Sequence, residues 1–134
     1  MSNLLDDVVD VLVAEGITDT IYKDTMPDKP AQAITFYETQ GSGILRGGVG
    51  ASRNIQVSVR TDRSSPVWAM EKAWQIFNVL AVPDKVMDTR EEEYPETDFW
   101  GVITMKQTPF KIGVDNEGRI YYGFNMNVIT KTDD

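Results

Sequence analysis

Apolar residues recur every three to four positions in two stretches of this chain and every second position in several others. Leu4, Leu5, Val8, Val9 and Leu12 fall at i, i+1, i+4, i+5 and i+8, one stripe of a helix over about residues 3–15. Asn3 stands as its N-cap, Asp6 and Asp7 lie in a first turn whose dipole favours acids, and Gly16 ends it. A second helix is expected from Ser64-Ser65-Pro66, a cap followed by proline at the first helical position, to about Leu80. Its apolar face reads as Val67, Met70, Ala73, Trp74, Phe77 and Leu80, which leaves Trp68 off the stripe and facing outward.

Alternation marks the strands. A short one is expected at Thr20–Lys23, then the turn Met26-Pro27-Asp28-Lys29-Pro30, then a strand over Gln32–Thr39. Asn54–Thr61 alternates most clearly, with Ile55, Val57 and Val59 on one side and Gln56, Ser58 and Arg60 on the other. Val86–Asp88 and Phe99–Gln107 follow, with an acidic loop, Arg90–Asp98, between them. In Ile120–Ile129, Ile120, Tyr122, Phe124, Met126 and Val128 share one face, and Tyr121, Asn125, Asn127 and Ile129 share the other. Asn116-Glu117-Gly118 supplies the positive-φ position of a hairpin turn before that last strand. The order predicts an α+β fold, a largely antiparallel sheet with both helices on one face, built as a single domain over residues 1–134.

Gln40–Asn54 carries Gly41, Gly43, Gly47, Gly48 and Gly50 and reads as a long flexible arm. Ile44, Leu45 and Val49 are too apolar for a loop that stays in water, so they are candidate contacts with a neighbour, and Arg46 and Arg53 suit an acidic partner surface. A plain hairpin loop packed on its own domain is the alternative.

The chain has 134 residues, enough to bury a core without metal or disulfide, and holds no cysteine and no histidine. Triads, imidazole bases and histidine metal sites are thereby excluded. Glu91-Glu92-Glu93 and Asp6-Asp7-Asp10 are the carboxylate clusters, and they read as a solvated loop and a wet helix face. The glycine-rich arm lacks the Gly-Lys-Ser/Thr ending of a phosphate loop, and Asp115-Asn116-Glu117-Gly118 breaks off before a calcium loop is complete. Thirteen Lys+Arg against twenty-one Asp+Glu give a net charge of −8, the wrong sign for gaining affinity from DNA by counterion release. With no apolar run of membrane length and an acidic N-terminal segment, a cytosolic product is expected.

Pro109-Phe110-Lys111-Ile112-Gly113-Val114-Asp115-Asn116-Glu117-Gly118-Arg119 resembles the closing hairpin of the small minor capsid and tail-terminator proteins of siphophages of Gram-positive bacteria. Met26-Pro27-Asp28, the strand ending in Tyr37-Glu38-Thr39 and the following Gly41 resemble the family's opening half, and Gln56-Val57-Ser58-Val59-Arg60 its middle. Asp62-Arg63-Ser64-Ser65-Pro66 departs from the acidic helix start of the relatives, which bears on ring contacts more than on fold.

The resemblance implies a structural virion protein with no active site and no cofactor. It implies a homo-hexameric ring that caps the tail tube at the head-proximal end of the virion, assembled in the host cytoplasm. Tail-tube protein and a head-completion or stopper protein would be its partners, and DNA would pass through the lumen without specific binding. Glu91, Glu92 and Glu93 are then candidate lumen acids, whose charge would repel DNA phosphate. Trp68, Tyr121 and Asn125 join Ile44, Leu45, Arg46, Val49 and Arg53 as candidate interface residues, and Tyr121→Asp is expected to weaken the ring while sparing the monomer. Another virion part on a similar fold, a binding module or a small carboxylate enzyme are the other readings.

Overall fold

The computed structural model describes residues 4–44, 50–81, 85–88 and 100–131. Helix α1 (Leu4–Ala14) leads through β1 (Ile21–Lys23) to the long strands β2 (Ala33–Ile44) and β3 (Gly50–Thr61). Then come α2 (Pro66–Leu80), β4 (Lys85–Asp88), β5 (Trp100–Met105), β6 (Phe110–Val114) and β7 (Ile120–Lys131). The strands form one sheet in the order β1-β2-β3-β7-β5-β4, with β6 also on β7. Among the described strands only β1 with β2 is parallel. The fold is α+β with a mostly antiparallel sheet, as expected.

β7 is central because both its edges are used. It pairs with β3 from Thr61↔Ile120 to Gly50↔Lys131, while β6 takes Ile120–Gly123 and β5 takes Met126–Thr130 on the other side. Alternation puts Phe36, Val57 and Phe124 in one cross-strand row, all fully buried beneath the helices. α2 lies over β3 and β7, and α1 packs beside it over β2. The Phe77 ring stands edge-on to Phe124 with centroids 5.4 Å apart, worth about 0.5–1.5 kcal/mol beyond the area it buries.

Two expectations are corrected. The buried face of α2 is Ala69, Ala73, Ile76 and Leu80, with Trp68 and Phe77 half-buried against the core, whereas Val67, Met70 and Trp74 are exposed. Apolar residues occupy two interleaved stripes of this helix, and the one with alanines at its closest line lets helix and sheet approach. Ser65 makes no side-chain cap; its carbonyl instead accepts from Thr61 Oγ1 at 2.9 Å.

The two ends of the glycine-rich arm are the second; residues 45–49 between them lie outside the described residues. β2 runs on through Gly41 and Gly43 to Ile44, β3 begins at Gly50, and Gly43↔Ser52 and Ile44↔Ala51 are ladder pairs after a register shift beyond Thr39. Pairing of β3 on both edges holds these glycines extended.

Candidate functional site

The face of the sheet away from the helices carries the most organised polar structure. Ala33, Arg60 and Tyr121 form one cross-strand row on it, and Thr35, Ser58 and Gly123 the next. Arg60, only 2 % exposed, is not solvated. Its Nε donates to the Ala31 carbonyl at 3.0 Å, and one Nη to those of Pro30 at 2.7 Å and Asp28 at 3.2 Å. The guanidinium, in effect, replaces a missing strand, giving donors to a proline-interrupted segment that cannot form a ladder. Thr35 Oγ1 adds a bond to the Thr25 carbonyl at 3.2 Å. The segment 25–31 is thus strapped across the second face.

The β6–β7 turn holds the middle of that strap. Gly118 takes the positive φ, +78°, and its N–H donates to the Asp115 carbonyl. The Asp115 carboxylate accepts the N–H groups of Glu117 and Arg119 at 2.9 Å each, Arg119 Nε at 2.7 Å and the Tyr121 hydroxyl at 3.2 Å. Arg119 then reaches the Asp28 carbonyl at 2.9 Å and its carboxylate at 3.3 Å. The Asp-x-x-Gly-Arg spacing therefore builds a turn and ties it to the strap. Burial pushes the Tyr37 hydroxyl upward, reinforced by Tyr121 beside it.

A pH dependence follows. Desolvation disfavours the Asp115 carboxylate, but the N–H groups of Arg119 and Glu117 and the Arg119 guanidinium outweigh it, holding the group at about 2 against 3.8. A depressed folded value contributes stability that is complete above the unfolded value and is lost as pH falls from 3.8 through about 2. Asp115→Asn should lose the steepening of acid unfolding in that window. Identical acid limbs for variant and wild type would refute the assignment.

At the β1 edge a cleft of about 380 Å³ opens beside α2, lined by Asp19, Tyr22, Gln32, Ile34 and Trp68. Lys72 bridges it, pairing with Asp19 at 2.9 Å and lying 5.9 Å from the Trp68 ring centre. At the opposite edge Phe110 and Ile112 of β6 are each 40 % exposed.

Of the expected contact residues, Trp68 is half-buried at the cleft rather than facing outward. Arg53 meets an acid of its own chain, Glu38, through two bonds of 2.7 Å. Tyr121 is held by Asp115, so Tyr121→Asp would set two carboxylates together and loosen the hairpin; sparing of the monomer is not expected. The Asn125 side chain lies on the second face, half-buried beside Gln56. Ile44 contributes its backbone to the ladder. Leu45, Arg46, Val49, Glu91, Glu92 and Glu93 lie outside the described residues. Sequence reading missed the roles of Arg60 and Arg119, whose partners lie far along the chain.

Among the described residues no group of three or more acids gathers as for a metal, and no helix is long and apolar enough to cross a membrane. Fold and polar cluster define a structural α+β module whose organised side chains hold backbone. The model of one family, Bacteriophage tail terminator protein, matches residues 7–132, and the chain belongs to that family, making it a structural component of the virion tail. A chain of the virion of a native gene transfer agent (GTA) particle shares the fold, with a TM-score of 0.70 at 14 % identity, over 96 % of this chain and 95 % of that one. A second solved chain aligns with a TM-score of 0.55 at 9 % identity, over 98 % and 99 %. No curated protein matches the chain.

Proposed function

We propose that this protein is a non-enzymatic tail terminator that forms a hexameric ring on the tail tube of a phage of a Gram-positive host and offers the surface on which head-completion proteins dock. The carrying observation is the family match over residues 7–132. Within it, the Asp115-Arg119 motif serves to pin a turn and a strap. A ring multiplies the −8 of each chain, and a lumen biased toward acids, with Glu91, Glu92 and Glu93 as its candidates, repels DNA phosphate so that the genome slides past. The Val67, Met70 and Trp74 stripe on α2 supplies an exposed apolar surface for a virion neighbour, tube or head-completion protein.

Electron microscopy of purified protein mixed with tail tubes tests this. Sixfold rings seated at one end of each tube are expected. Tubes that stay bare, with the protein monomeric throughout, would overturn the reading.

A further inference from the structure

Two surface features lie at opposite edges of the sheet and differ in shape. β1 ends the strand order, and beside it is the Trp68 cleft; β6 lies on the far side of β7. Phe110 stands opposite Gly123 in register, and a β-bulge between Lys111 and Gly113 sets Ile112 over the same bare glycine. The β6 edge therefore presents exposed apolar side chains, and the β1 edge a cleft.

Their charges differ as well. Residues 106–113 hold two lysines, Lys106 and Lys111, both exposed, and no acid. Residues 15–24 hold Glu15, Asp19 and Asp24 against the single base Lys23. In a chain of net charge −8 this lysine-bearing edge suits the acidic edge of another copy. Two β6 edges meeting each other would bring lysines together, which disfavours an isologous pair.

We infer that the β6 edge of one copy, with Phe110 and Ile112 as its anchors, seats in the Trp68 cleft of the next copy. This rests on the ring reading and names its contact. Joining opposite edges is heterologous, so each copy offers a free edge to another and the chain of contacts can close. The apolar pair fills the concavity, while Lys106 and Lys111 lie toward the acids at its border.

A chain without cysteine makes the test direct. Thr20, in the cleft lining, and Thr108, just before β6, are replaced by cysteine in the full-length protein, singly and together, and treated with a short bis-maleimide. The double variant should give a ladder of covalent multimers, in solution or on tail tubes, and neither single variant should go beyond a monomer. Phe110→Glu should raise the concentration needed for assembly at least about tenfold, with its melting curve unchanged because Phe110 is exposed. Wild-type rings without a ladder in the double variant, or dimers from a single variant, would overturn this contact and leave the ring standing. A wild-type protein that never assembles, alone or on tubes, removes the ring reading and the contact with it.

Discussion

Gly123→Ala is expected to destabilise the fold by about 3 kcal/mol, a fall of roughly 10 °C in Tm for a chain of this size, although it adds one methyl group. Gly123 is buried in the middle of β7, between β3 and β6. A Cβ there would sit 1.9 Å from the Val57 carbonyl oxygen and 2.9 Å from Ile112 Cδ1. The side chain of Ile112 can turn away, but the Val57 carbonyl belongs to the ladder at the centre of the sheet and can move only by distorting β3. Gly113→Ala is the control, since nothing lies within 4 Å of a Cβ at that position; it should stay within about 0.5 kcal/mol of wild type. Urea unfolding of both variants decides the matter. A Gly123→Ala protein within about 1 kcal/mol of wild type would show that β3 and β7 do not approach each other this closely.

Much of this architecture was legible because period follows burial. Ile55, Val57 and Val59, and Phe124, Met126 and Val128, alternate because one face of their strands meets helices, and all six are fully buried. The α2 face was misread because Val67, Met70 and Trp74 are larger and more apolar than Ala69 and Ala73, so hydrophobicity outranked the close approach that small residues permit. The second face was half legible. Alternation placed Arg60 on it correctly, but contact with a segment 29 to 32 residues away leaves no local trace. The turn at Gly118 was readable from its dipeptide-scale chemistry, whereas the reach of Arg119 to Asp28, 91 residues distant, was not.

Arg60→Met should destabilise the protein by about 2–4 kcal/mol and release residues 25–31 from the sheet. Apolar replacement of buried ion pairs is often harmless, because both charges leave the interior together. Here the partners are the carbonyls of Asp28, Pro30 and Ala31, which stay behind when the guanidinium is removed. Methionine fills similar space and donates nothing, so those carbonyls must turn to water and carry the strap with them. Asp28 is also the point that Arg119 holds, and the β6–β7 turn should loosen in consequence. Arg60→Lys should recover only part of the loss, because one compact ammonium cannot match three acceptors set for a planar fork. Lys111→Met, an exposed cation on β6, should change stability by no more than about 0.5 kcal/mol. Hydrogen exchange gives the local readout: Arg60→Met should speed exchange of the amides of Glu117 and Arg119, which Asp115 holds, while leaving β3 and β7 protected. Unchanged protection over those residues, at wild-type stability, would mean that the strap is held by something other than Arg60.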